Sequence, residues 1–129
     1  MKQTVSKLIV LSLALLSLFS CSIKSLDYYK ENLGEDYKYY YIEGENLDFY
    51  LGFTLNFEDY EATEGLQAKN KKHDFYVLII ECSSTSNAKK LSRDALEYSY
   101  YSNDIEVVRD GNYVLIGYQK AINDALNNY

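Results

Sequence analysis

A chain of 129 residues, with 13 Lys and Arg against 19 Asp and Glu and a formal net charge of −6, has room for one domain and little more. The acidic balance argues against a nucleic-acid binder, which needs a basic footprint, so no nucleic acid is expected as a partner. Two cysteines and one histidine rule out a dense disulfide framework and any zinc site built on two imidazoles.

Chain order begins with Lys2 and Lys7, followed by the apolar run Leu8 to Leu18. As a helix rising 1.5 Å per residue the run covers only about 16 Å, whereas the hydrocarbon layer of a bilayer is about 30 Å thick. Two lysines, a short apolar stretch and small residues ahead of a cut fit a secretory signal peptide rather than a permanent span. Leu18, Ser20 and Cys21 then stand where a lipobox places its apolar, small and cysteine residues. Here the chain resembles bacterial lipoprotein precursors, with Phe19 bulkier than the usual middle residue. The resemblance implies diacylglyceryl transfer to the Cys21 sulfur, cleavage before Cys21, and a membrane partnership through that lipid. Two acyl chains anchor stably where one holds only marginally.

The expected organisation is therefore a signal peptide over 1–20, a lipidated cysteine and tether over 21–25, and a single α+β domain over 26–129. The expected location is the outer side of the cell membrane, or the outer membrane in a cell with two. Without Lys2 and Lys7, eleven basic side chains face nineteen acidic ones, a net charge of about −8. The lipid rather than electrostatic attraction must then do the holding. Ser22 to Ser25 reach at most about 14 Å when extended, which keeps the body against the bilayer. With Cys21 acylated, Cys82 is the only thiol and no internal disulfide can form.

Leu26, Tyr29 and Leu33 follow the i, i+3, i+7 spacing of a helix, and Gly34 is its natural stop. Residues 36–42 read as an aromatic-rich strand, and 43–46 as a turn. Leu47, Phe49, Leu51, Phe53, Leu55 and Phe57 alternate with other residues, the period of a half-buried strand, with Gly52 at a possible bulge. Residues 58–72 carry few large apolar groups and read as a loop or edge strand. Phe75 to Ile80 is apolar on both faces, as in a central, covered strand. Ser83 to Ser86 supply helix N-caps, and a helix over 87–102 puts Ala88, Leu91, Ala95 and Tyr98 on one stripe. Ile105 to Val108 and Tyr113 to Ile116 flank Arg109-Asp110-Gly111-Asn112, a hairpin signal. A last helix near 119–128 buries Ala121, Ile122, Ala125 and Leu126.

The expected fold class is α+β, a two-layer build with the helices packed on one face of a small, mostly antiparallel sheet. The strand Phe75 to Glu81, the helix after it and the hairpin Val107 to Ile116 also resemble uncharacterised small lipoproteins of gut Firmicutes. That group has no established activity, so the resemblance adds to the fold alone.

His73, flanked by Lys71, Lys72 and Asp74, reads as a solvated residue entering a strand. A Cys82–His73 nucleophilic pair needs contact at about 3 Å, but nine residues along a strand span about 30 Å. Cys82 thus reads as a small apolar residue. Glu58, Asp59, Glu61 and Glu64 form the densest acidic cluster, which reads as a solvated loop. Paired carboxylates for glycoside hydrolysis or calcium binding are the sharper alternative. No Gly-x-Ser-x-Gly elbow or P-loop is present. No catalytic residue, metal or cofactor is expected.

Residues 25–68 carry 11 acids and 2 bases, and residues 69–93 carry 6 bases and 2 acids. Such blocks either face each other or solvate separate surfaces. Tyrosine is abundant at 15 residues, with no Pro or Trp, which fits AT-rich codon usage and also a contact surface. The leading expectation is a non-catalytic, membrane-tethered module that binds a protein or cell-envelope component, with Tyr39, Tyr40 and Tyr41 as contact residues. The alternative is a small ligand-binding or hydrolytic lipoprotein using the acidic loop 58–64.

Overall fold

The apolar spacing after the tether produces the first helix where it is expected. In the computed structural model, which describes residues 24–43, 57–99 and 104–128, α1 is Leu26–Leu33 and buries Leu26, Tyr29 and Leu33. It ends because Gly34 turns to φ 74° and donates its N–H to the Lys30 carbonyl, a left-handed conformation open to glycine at no steric cost. A 3₁₀ turn leads into β1, Tyr37–Glu43. The expected turn at 43–46 lies, beyond Glu43, outside the described residues. So does the alternating strand from Leu47 with its Gly52 bulge, up to the 3₁₀ turn Phe57–Tyr60.

The strands β2 (Ala62–Asn70), β3 (Tyr76–Cys82), β4 (Ile105–Asp110) and β5 (Tyr113–Tyr118) join β1 in one sheet ordered β1-β2-β3-β5-β4. Every pairing is antiparallel. Helix α2, Thr85–Ser99, links β3 to β4, and α3, Gln119–Leu126, follows β5. The Ser84 hydroxyl accepts the Asn87 N–H at 3.1 Å, the N-cap expected of the serine run. The β4–β5 hairpin turns at Gly111, φ 62°.

Two expectations are corrected. Most of residues 58–72 is neither a loop nor an edge. Within them β2 is an interior strand, hydrogen-bonded to β1 on one side and β3 on the other. Its buried positions are small or polar (Gly65, Gln67 and Ala68 beside Leu66), so neighbouring elements supply the volume.

The helices also do not share one face. Leu66, Ala68, Val77, Ile79, Tyr113 and Leu115 pack with α1 and α3. Leu78, Ile80, Val114 and Ile116 pack with Ala88, Leu91 and Ala95 of α2. The sheet is the middle of three layers. The physical reason is that β3 and β5 are apolar at consecutive positions, and side chains alternate across a strand. Both faces therefore need cover, each large aliphatic side chain buried there contributing about 1.5–3 kcal/mol.

Close approach fixes one further residue. A Cβ on Gly117 would overlap the Tyr76 carbonyl oxygen and lie 2.7 Å from the Val77 Cα. Only glycine lets β5 meet β3 there.

Candidate functional site

The antiparallel register gathers charge that is scattered in the sequence. Cross-strand partners share a face, and Glu43 of β1 stands opposite Glu64 of β2, which stands opposite Glu81 of β3. The row continues through Tyr113 of β5 to Asp110 of β4. It lies on the α1 side, because Tyr113 belongs to the core beneath that helix. Asp27 of α1 adds its charge to Glu64. Partial burial raises the Glu64 carboxyl above its ordinary range, and the charge and hydrogen bond of Glu81 push the same way.

The chain enters the body at this end of the sheet. The Lys24 ammonium pairs with Asp110 at 2.7 Å, and the same carboxylate oxygen accepts the Tyr29 hydroxyl at 2.7 Å. The Tyr113 hydroxyl donates to the Lys24 carbonyl at 2.6 Å, with the Glu81 carboxylate 3.1 Å away as a second acceptor. Tyr29 is fully buried and meets the Tyr113 ring edge-on at 5.2 Å. Burial and the neighbouring carboxylates raise both phenols far above their usual range, so they stay neutral donors. Sequence reasoning placed the start of the body at Leu26, whereas side-chain bonds hold the chain from Lys24.

The opposite end of the sheet is a cleft of about 500 Å³. Its walls are the end of α1 (Asn32, Leu33), Asp36 and Tyr37, residues of the β2–β3 connection between Asn70 and Phe75, and Lys120 and Asp124 of α3. Asn70 Oδ1 accepts the N–H groups of Lys72 and His73, at 2.9 and 3.0 Å, and so shapes the connection. The His73 ring lies nearly parallel to Phe75, 8° apart with centroids at 5.6 Å. Buried Asp124 accepts the Tyr37 hydroxyl at 2.6 Å and Lys120 at 2.9 Å. A second, shallower concavity of about 770 Å³ runs between α1 and β1 and shares Tyr37 and Lys71 with the cleft.

Strand alternation divides the three tyrosines proposed as contacts. Tyr39 and Tyr41 pair with Ala68 and Leu66, on the α1 side, while Tyr40 pairs with Gln67 on the α2 side. Tyr39 is half-buried and its hydroxyl donates to a carbonyl at the end of α1, Lys30 at 3.1 Å, or to that of Gly34 just beyond it. Tyr40 and Tyr41 remain 48 % and 57 % exposed. The Lys30 ammonium sits 5.2 Å from the Tyr39 ring centroid and 5.4 Å from that of Tyr41, within cation–π range.

The acidic cluster read from sequence comes apart. Asp59 is exposed, and Glu64 belongs to the glutamate row. Glu61, at φ 49°, accepts the Ser83 hydroxyl and, at 3.3 Å, the Asn87 amide. It thereby pins the β3–α2 connection. Neither concavity is lined by Asp59, Glu61 or Glu64. The side chain of Glu58, and Cys21, lie outside the described residues. His73 is exposed at the far end of β3 from Cys82, which is buried under α2. Burial, with Glu81 second, pushes the Cys82 thiol up to about 11, so it is neither thiolate nor nucleophile at neutral pH.

Among the described residues no group of three or more His, Cys, Asp or Glu is arranged to hold a metal ion. No helix among them is long and apolar enough to cross a membrane. Sequence reasoning missed the glutamate row and the cleft, since both are assembled from segments far apart in the chain. The uneven charge blocks were the one signal of them. No protein family, curated protein or solved structure matches this chain.

Proposed function

We propose that this chain is an extracytoplasmic lipoprotein, anchored through diacylglyceryl Cys21, whose body is a non-catalytic module binding a protein or cell-envelope component. The anchor rests on the signal pattern and on Cys21. Only Ser22 and Ile23 separate that cysteine from Lys24, where the side-chain bonds to the body begin. Three Cα steps span at most about 11 Å, so a lipid on Cys21 would seat the glutamate end of the sheet at the membrane surface.

The observation that carries the binding reading is the exposure of Tyr40 and Tyr41 on β1, one of the two edge strands among the described residues. Large aromatic side chains left in solvent are typical contact residues. Lys30 and Tyr39 extend the Tyr41 patch, whereas Tyr40 serves the opposite face.

Crosslinking and pull-down from intact membranes, with the wild-type anchor present, tests this reading. Tyr41→Ala is expected to weaken capture of a partner bound on the α1 side, and Tyr40→Ala capture on the α2 side. Recovery of the same crosslinked species from the triple variant Tyr39→Ala, Tyr40→Ala, Tyr41→Ala would contradict the placement. No geometry on the described residues favours the alternative that uses the acidic loop 58–64.

A further inference from the structure

The cleft at the sheet end far from Lys24 has features that the binding reading above does not use. In an acidic chain it collects cations. Lys71 and Lys72, both exposed on the β2–β3 connection, make no ion pair among the described residues. The charge of Asp124 is already met by the buried Tyr37 hydroxyl and by Lys120, so it does not cancel those lysines. Asp36 is the exposed carboxylate of the lining, an acceptor suited to hydroxyl donors. The parallel His73 and Phe75 rings give the cleft an aromatic wall. The volume of about 500 Å³ falls within the usual range for a small-ligand site.

Each feature narrows the ligand. Two compact ammonium groups fit an oxyanion, and lysine is a common phosphate partner. The exposed Asp36 carboxylate beside them selects against a bare anion and for one that carries hydroxyl groups. An aromatic surface suits the C–H face of a sugar ring.

We propose that this cleft binds an anionic sugar unit, with Lys71 and Lys72 holding its phosphate or carboxylate, Asp36 accepting its hydroxyls, and the His73–Phe75 stack supporting the ring. The inference goes beyond the tyrosine surface and does not depend on the lipid anchor. Its ligand class is one that a cell-envelope polymer can present.

The test is an amide-resolved NMR titration of the full chain in detergent micelles with glucose-6-phosphate, glucuronate, inorganic phosphate and uncharged glucose. At least one anionic sugar is expected to give saturable shifts confined to the cleft residues, and which one identifies phosphate or carboxylate as the preferred group. Glucose should give none, and inorganic phosphate should bind more weakly than the preferred sugar. The double variant Lys71→Gln, Lys72→Gln should weaken binding by about tenfold or more and leave the rest of the spectrum in place. Four results would overturn the proposal: no shifts with either anionic sugar, equal shifts with glucose, inorganic phosphate binding as tightly as the sugars, or affinity unchanged in the double variant.

Discussion

The two ends of the sheet carry opposite charge and use it differently. At the Lys24 end, the acid Asp110 is bonded into the fold by a buried phenol and an ammonium, and Glu81 stands beside Tyr113. At the cleft end, Lys71 and Lys72 stand outside every ion pair among the described residues, and the buried acid, Asp124, is already paired. Charge satisfied within the fold holds structure, and charge left over is available to a ligand. The difference also separates stability from binding: removing a bonded group such as Asp110 at the first end should destabilise the fold, and removing Lys71 or Lys72 at the second should leave it intact.

The largest effect is expected at Asp110. Asp110→Ala removes the acceptor of the fully buried Tyr29 and the Lys24 partner, and should cost about 2 kcal/mol by chemical denaturation. Asp110→Asn keeps an acceptor for Tyr29 and should cost less. Equal losses in the two variants would assign the stabilisation to the ion pair instead.

A smaller effect of opposite sign is expected at Glu64. Like charges directly opposite across strands destabilise, so Glu64→Gln should gain up to about 0.5 kcal/mol at neutral pH, discounted for its exposure. The folded carboxyl lies above its ordinary value near 4.5. Between those two values the folded state holds a proton that the unfolded state has lost. This contribution is therefore complete below the unfolded value and disappears as pH rises through the folded one. Denaturation midpoints across that window should fall more steeply with pH in the wild type than in Glu64→Gln. Parallel profiles would remove Glu64 from the coupled row.

The smallest effect is expected at the cleft end. Lys71→Ala and Lys72→Ala should each leave stability within about 0.5 kcal/mol of wild type. A loss like that of Asp110→Ala would mean that these lysines too belong to the structure, and the contrast between the ends would fail.

Much of the fold was legible because it is encoded locally. The stop of α1 needs only Gly34, the hairpin needs Gly111, and the α2 stripe of Ala88, Leu91 and Ala95 is visible in its spacing. β2 was not legible, since Gly65, Gln67 and Ala68 are buried by their neighbours rather than by their own character. The placement of helices on both faces was implicit in the two-sided apolarity of β3, yet the element order alone suggested a single layer of cover. The candidate site was harder. Glu43, Glu64 and Glu81 meet only through register, and the cleft draws on residues near 32–37, 70–75 and 120–124. The split of Tyr40 from Tyr39 and Tyr41 follows from strand alternation, once residues 36–42 are read as a strand.

A lipid at Cys21, as proposed, would decide which end of the molecule meets the bilayer. The direct test is the mass of the N-terminal peptide of the protein purified from its native membranes. The account predicts a chain that begins at Cys21 and carries a diacylglyceryl group on its sulfur. An uncleaved N-terminus, or an unmodified Cys21, would contradict it.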